Sequence, residues 1–167
     1  MKKGILFTLL CIVTLGLSAQ TKSEKAYEQT KELIVSGNYF FEANKALPTT
    51  GSSVSLVTNR GYLKLKDEQL TIYLPYFGEM YLGGGYNGGG PIAVTKGKVH
   101  DYNIKFNDKK HRLIITFKVK NSSERFDVTM NVDRLGWTSI IVKSMDRSTI
   151  SYYGKTRVLK TNMVSSK

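Results

Sequence analysis

The sequence has 167 residues, a formal net charge of +12 and a single cysteine. Its length is that of one ordinary domain, and one cysteine excludes a disulfide within the chain. The positive charge favours anionic neighbours such as lipid headgroups, acidic glycans or nucleic acid, although a solvated basic surface is the simpler explanation.

The first 19 residues have the order of a secretory signal peptide. The basic start Met1–Lys3 precedes an almost wholly apolar run, Gly4 to Leu17, and Ala19 ends a small-residue cleavage site. The apolar run is shorter than the ~20 residues that a transmembrane helix needs. We therefore expect export across a bacterial inner membrane and cleavage after Ala19.

Cleavage would leave 148 residues, the size of one domain, with a net charge of +10 because Lys2 and Lys3 are removed. Cys11 would be lost as well, so the mature chain would have no thiol nucleophile and no thiolate metal ligand. No later stretch is apolar for long enough to span a membrane. Export argues against nucleic acid as a partner and leaves peripheral contact with an anionic membrane surface as a candidate.

A short amphipathic helix is predicted at the start of the mature chain. Thr21 and Glu24 have the spacing of a capping box, and Gly37 supplies a stop. One face carries apolar residues and a threonine at helical spacing. These residues are Ala26, Tyr27, Thr30, Leu33 and Ile34.

From Tyr39 onward the apolar period changes from 3.6 to 2, which predicts strands. Leu65 facing Leu70 would place the apolar residues of both strands on one face of the sheet, and the same holds for Val119 facing Phe126. A tight turn at residues 107–110 predicts that Phe106 opposes His111. Trp137 to Lys143 has apolar residues on both faces, which suggests a strand buried on both sides.

These patterns predict a mainly β (α+β) fold with one N-terminal amphipathic helix. About eight to ten antiparallel strands would form a meander, closed as a barrel or folded as a sandwich. We expect one domain over residues 20–160 and a flexible tail over residues 161–167. The absence of βα repeats argues against a parallel nucleotide-binding sheet.

A glycine-rich segment, Leu74 to Pro91, contains the main candidate for a binding site. It formally matches G-x-G-x-x-G, but Gly89-Gly90-Pro91 follows, from which no helix begins well. Two interpretations stay open: aromatic rings form a stacking wall closed by glycine backbone, or the rings plug the core beneath a flexible connector. The candidate ligand-binding residues are Tyr76, Phe77, Tyr81, Gly84, Tyr86 and Gly89.

A basic cluster at a predicted hairpin tip is a second candidate. Lys109, Lys110 and Arg112 could form an anion-binding edge, or they could serve to prevent edge-to-edge aggregation. His100 and His111 would lie too far apart to share a metal, and the sequence predicts neither a metal site nor a cofactor. No hydrolase signature is present, so we expect no enzyme.

Three segments resemble one family. The stretch Tyr39–Pro48, the block Leu74–Gly78 with the glycines that follow it, and the closing stretch Ser144–Gly154 are similar to the bacterial envelope proteins grouped as domain of unknown function 4251. The resemblance covers nearly all of the mature chain. It implies an exported single-domain protein of a Bacteroidetes-type bacterium, and it brings no known activity and no site residues.

The sequence thus predicts an exported, non-catalytic binding module in the periplasm or at the outer membrane. Its ligand would be a glycan, a lipid or another envelope protein. A protein-interaction or inhibitor module that uses a sheet face or edge is the alternative, and a carboxylate-dependent hydrolase is a further one.

The leader makes a direct prediction. When the gene is expressed in a bacterial host, intact-mass spectrometry of the periplasmic fraction should find a chain that begins at Gln20. Leu10→Lys should keep the precursor in the cytoplasm with Met1 retained, because a charge interrupts the apolar run. Recovery of both proteins with their first 19 residues intact would contradict the assignment.

Overall fold

A computed structural model of the protein describes residues 22–81, 85–86 and 89–159. The leader, Thr21 of the capping box, Gly84 and the tail at residues 161–167 lie outside the described residues, and so does the side chain of Tyr86.

The predicted helix, α1, occupies residues 22–35. Tyr27 and Ile34 are fully buried, Thr30 is nearly so, and Leu33 packs against the same core. Gly37 has a φ of +65°, the left-handed conformation that ends many helices. The predicted apolar face is therefore the face that α1 buries.

The described residues after α1 form twelve strands. Their bounds are β1 Tyr39–Pro48, β2 Val54–Ser55, β3 Gly61–Lys66, β4 Gln69–Leu74, β5 Glu79–Met80, β6 Gly85–Tyr86, β7 Ile92–Lys98, β8 His100–Asn107, β9 Arg112–Lys120, β10 Arg125–Asp133, β11 Trp137–Lys143 and β12 Ile150–Val158. A 3-10 turn, Asp108–Lys110, joins β8 to β9.

Nine of these strands form one curled antiparallel sheet, a half-barrel, in the order β7-β4-β3-β1-β12-β11-β10-β9-β8. The short β2 pairs with β1, and β5 pairs with β6 in a separate ribbon. The predicted mainly β class with one leading helix is confirmed. β1 and β12, the first and last strands along the chain, pair with each other near the centre of the sheet.

The core fills the inner face of the curl. Phe126 pairs with Val119, and Leu65 pairs with Leu70, both as the alternation predicts. All four side chains are buried. A slip of one residue would turn each apolar set to solvent, so the buried face fixes the register.

The β8–β9 pairing differs from the prediction. Phe106 opposes Leu113 rather than His111, because the 3-10 turn is followed by His111 in a left-handed conformation with φ of 48°. Tyr102 and Phe106 remain partly exposed, since β8 is an edge strand at the rim of the sheet.

The expectation that β11 is buried on both sides is wrong. Its inner residues Ile140 and Val142 are buried, but Trp137 and Ile141 on the other face are not. The outer face of this strand is covered by no second layer within the described part of the chain, so a single side of the sheet carries the core.

Hydrogen bonds fix α1 to the hairpin ends of the sheet. The Thr30 hydroxyl donates to the carbonyl oxygen of Arg134 at 2.8 Å, and the Tyr27 hydroxyl donates to Asp108 at 2.9 Å. Burial, together with this bond to Asp108, raises the pKa of Tyr27 to about 12. The helix thereby covers the inner face near β8, β9 and β10.

Gly154 provides a test of the central pairing of β1 with β12. A Cβ there would overlap the carbonyl oxygen of Glu42 on β1, and backbone can yield only by separating the strands. Gly154→Ala should lower the free energy of unfolding by about 2–3 kcal/mol in urea denaturation. Ser151→Ala, on the outer face of the same strand, should change it by less than about 0.5 kcal/mol. Equal effects of the two substitutions would contradict this close approach.

Candidate functional site

The base of the glycine-rich segment is tied to the stretch before β12. The Tyr76 hydroxyl donates to the carbonyl oxygen of Glu79 at 2.8 Å and lies 2.8 Å from the Ser148 hydroxyl. The backbone N–H of Ser148 donates to the same Glu79 oxygen at 2.9 Å, and that of Tyr81 donates to Asp146 at 2.8 Å. The two segments therefore hold each other in place.

A buried ion pair stabilises this junction. The Arg147 guanidinium donates to both carboxylate oxygens of Glu124, at 2.8 and 2.5 Å, and its third nitrogen donates to the carbonyl oxygen of Gly90 at 3.1 Å. The same group lies 4.7 Å from the centre of the Tyr76 ring. Arg147 thus connects the β10 turn, the end of the glycine-rich segment and the ring of Tyr76.

This arrangement buries some of the aromatic side chains of the predicted binding site and leaves others exposed. Tyr76 is only 7% exposed, with Arg147 over its ring, and Phe77 packs against the core. Tyr81 is 61% exposed and Gly89 lies against Met80. Tyr76 and Phe77 therefore plug the core, and among the described side chains of the predicted site only Tyr81 offers a ring to solvent.

The predicted anion-binding edge is exposed at the tip of the β8–β9 hairpin. Lys109 and Lys110 lie in the 3-10 turn, and Arg112 opposes Asp133 at the start of β9. The neighbouring Asp108 bonds to Tyr27 and Lys31, which together lower the pKa of its carboxyl group. Anion binding at this edge stays a prediction.

The outer face of the sheet carries a row of large side chains that the sequence pattern did not predict. Opposed residues on β11, β12, β1, β3 and β4 lie side by side because their strands pair in this register. We call them the outer row. In spatial order they are Trp137, Lys155, Glu42, Tyr62 and Tyr73.

The aromatic rings of the outer face form two groups. Tyr62 stacks on Phe40 with 5.8 Å between ring centres and on Tyr73 with 6.1 Å. Trp137 stacks on Tyr153 with 5.6 Å between centres and planes that are parallel within 2°. Trp137, Tyr153 and Tyr73 are each more than a third exposed to solvent.

A groove of about 390 Å³ opens beside the first group. Its volume is in the range of small-ligand sites. We call it the aromatic groove, and it is lined by Phe40, Glu42, Tyr62, Lys64, Thr71, Arg157, Val158 and Leu159. An aromatic wall there faces a carboxylate, an ammonium, a guanidinium and a hydroxyl.

Charged side chains lie between the two aromatic groups. Glu42 is paired with Arg60, and Arg157 lies 3.9 Å from the same carboxylate oxygen. The Lys155 ammonium sits 5.1 Å from the centre of the Trp137 ring. Within the described part of the chain, neither Lys155 nor Lys64 forms an ion pair with a carboxylate.

The carboxylates of Asp101 and Asp133 have separate environments. Asp101 pairs with Lys118 at 2.8 Å, and the hydrogen bond with Lys118 lowers the pKa of Asp101. Asp133 accepts backbone N–H bonds from the turn that precedes β11. His111 is in contact with Glu24 of α1, whereas His100 opens β8. The described residues contain no group of three His, Cys, Asp or Glu side chains that could hold a metal.

The comparisons with known proteins give a family. Residues 21–156 match the family model described as Domain of unknown function (DUF4251). The chain belongs to the DUF4251 family. A crystal structure of a DUF4251 family protein from Bacteroides eggerthii DSM 20697 has a similar fold, with a TM-score of 0.64 and 15% sequence identity. The similarity covers 83% of this chain and 91% of that one, and no curated protein matches.

Membership of DUF4251 confirms the family to which the sequence was compared and carries no activity with it. Among the residues described, no helix has the length and apolar character that crossing a membrane requires. Binding, compartment and catalysis have to be argued from the side chains.

The Arg147–Glu124 pair makes a prediction about stability. Arg147→Met should lower the free energy of unfolding by about 3–5 kcal/mol, because Glu124 is left charged and buried. The more exposed pair of Arg60 and Glu42 offers a control. Arg60→Met should lower the free energy of unfolding by no more than about 1 kcal/mol. Adding Glu124→Gln to Arg147→Met should recover part of the loss in urea denaturation. Equal costs for the two single substitutions would contradict a structural role for the buried pair.

Proposed function

We propose that the protein is an exported, non-catalytic binding module of the bacterial envelope, and that its ligand presents a sugar ring to the aromatic groove. The observation that carries this proposal is the convergence of Glu42, Lys64 and Arg157 on a groove walled by Phe40 and Tyr62. A sugar ring has an apolar face of C–H groups and a rim of hydroxyls. The aromatic wall of the groove can contact the apolar face, and its charged groups can bond to the hydroxyls.

The chemistry of the groove favours a sugar ring over a lipid or a protein as the ligand. The stacked rings supply apolar contact area at a low cost in side-chain entropy, and the charged groups at the rim can bond to hydroxyls. A lipid tail would cover the ammonium of Lys64, which has no carboxylate partner among the described residues, and covering an unpaired charge is costly. A glycan is therefore the ligand we propose among the three classes that the sequence left open.

The proposal of a non-catalytic module rests on the distribution of acidic groups. Glu42 lines the groove with no second carboxylate among its described lining residues, whereas glycoside hydrolysis generally uses a pair. Asp101 and Asp133 have their own partners elsewhere. Neither Asp101 nor Asp133 therefore supplies the aromatic groove with a second carboxylate.

The alternative is a protein-interaction or inhibitor module that uses an edge of the sheet. The observation in its favour is β8, which pairs with β9 alone and keeps most of its side chains exposed. A partner strand could add to such an edge. We rank it second because β8 contains a bulge between His100 and Asn103, which disfavours regular strand addition.

Site mapping by NMR tests the groove. Titration of the ¹⁵N-labelled protein with cellobiose and with digalacturonate should shift the amide resonances of residues 40, 62 and 157, and leave those of residues 76–81 unchanged. Phe40→Ala should weaken binding by about five- to tenfold, because a stacking ring is lost.

Tyr81→Ala is the matched control, since it removes an exposed ring from the glycine-rich segment. It should leave the affinity unchanged. Loss of binding in Tyr81→Ala with retention in Phe40→Ala would transfer the site to the glycine-rich segment. No shift with either sugar would remove the proposed function.

A further inference from the structure

We infer that the natural ligand is an acidic polysaccharide that lies across the strands, from the aromatic groove to the Trp137–Tyr153 pair. This inference rests on the proposed function and deepens it, because it assigns the ligand a length, a direction and a charge. The outer row is the observation that carries it.

The length follows from the spacing of the strands. Tyr73 on β4 and Trp137 on β11 are separated by four strand-to-strand steps, through Tyr62, Glu42 and Lys155. At ~4.8 Å a step the row is ~19 Å long. A single sugar ring cannot contact both ends, whereas a chain of rings placed perpendicular to the strands can.

The direction follows from the placement of the rings. Tyr62 stands at the aromatic groove, and the parallel rings of Trp137 and Tyr153 form a platform beyond the charged centre. Stacking surfaces at both ends of one row suit a polymer with repeated apolar faces. A compact ligand would contact only one end of the outer row, and the aromatic rings at the other end would have no contact with it.

The charge follows from the centre of the row. Four cationic side chains surround the single carboxylate of Glu42. They are Arg60, Lys64, Lys155 and Arg157. Glu42 compensates one of these charges, which leaves a local surplus of three.

An anionic chain would complement this surplus. Lys155 projects over Trp137, so an acidic group on a sugar stacked there would meet an ammonium that has no carboxylate partner in the described part of the chain. Because Arg60 and Arg157 are more than half exposed and Lys64 and Lys155 are partly exposed, the attraction should weaken as salt rises. A neutral glycan would leave the surplus uncompensated.

Single-stranded nucleic acid is the rival with similar chemistry, since it also combines stacking faces with negative charge. The Glu42 carboxylate at the centre of the row can accept hydrogen bonds from the hydroxyls of a sugar chain, whereas a phosphodiester backbone offers no such donors apart from the 2′-hydroxyl of RNA. A polysaccharide can place hydroxyls at that point and its acidic groups on either side, so the observations favour a glycan.

Isothermal titration calorimetry with the processed, exported protein tests the inference. The probes are hexagalacturonate, digalacturonate, the neutral maltohexaose and a six-nucleotide thymidine oligomer, all at low salt. Hexagalacturonate should bind at least tenfold more tightly than digalacturonate and maltohexaose, and more tightly than the oligonucleotide.

Two sets of variants separate the length from the charge. Trp137→Ala should reduce hexagalacturonate affinity to that of digalacturonate and leave digalacturonate binding unchanged, whereas Trp137→Phe should retain most of the difference. Lys64→Gln with Lys155→Gln should weaken hexagalacturonate at least tenfold and flatten its salt dependence. Lys22→Gln with Lys25→Gln, both exposed on α1, is the charge-matched control and should have little effect.

The outcomes separate the inference from the proposed function. Equal affinity for the two galacturonates, no effect of Trp137→Ala, or equal binding of maltohexaose would overturn the inference even if digalacturonate still requires Phe40. Tightest binding of the oligonucleotide would replace the glycan with nucleic acid and overturn it as well. If neither cellobiose nor digalacturonate binds in a way that depends on Phe40, the proposed function itself is rejected.

Discussion

The register of the antiparallel sheet is the constraint on which the rest of the structure depends. The inner face must bury its apolar residues against α1 and the opposite part of the curl, so each strand has one permitted alignment. That alignment also fixes the outer face. Trp137, Glu42 and Tyr62 lie in one row because Ile140, Phe41 and Leu63 are buried on the other side.

The buried pair of Arg147 and Glu124 solves a separate problem. A glycine-rich segment costs ordering entropy and supplies few side-chain contacts. The pair fixes its base through the carbonyl oxygen of Gly90 and through the ring of Tyr76. Burying two charges is expensive, and the geometry compensates by satisfying both carboxylate oxygens.

The sequence predicted what depends on local alternation. The pairing of Val119 with Phe126 and the buried face of α1 are confirmed, since each follows from periods read within a few residues. The predicted β8–β9 register was wrong because the true one depends on positive φ at His111 and Asp101, which the alternation of apolar residues does not reveal. Non-glycine residues rarely adopt positive φ, so the pattern gave no signal.

The candidate site was harder to predict for a different reason. Tyr76 looked like a ligand-stacking residue because its partners, Arg147 and Ser148, are about 70 residues away in the chain. The outer row joins five strands, and its centre depends on β1 pairing with β12, the most distant pairing in the sheet. The one available signal was the excess of aromatic residues at positions that the alternation assigns to the polar face, such as Phe40, Tyr62 and Tyr153.

A crystal structure of the protein with hexagalacturonate would test the central claim most directly. A chain of sugar rings should lie on the outer face, with one ring in the aromatic groove, another on Trp137 and acidic groups near Lys64 and Lys155. Density for the sugar beside Tyr81 and the glycine-rich segment, with the outer row empty, would contradict it.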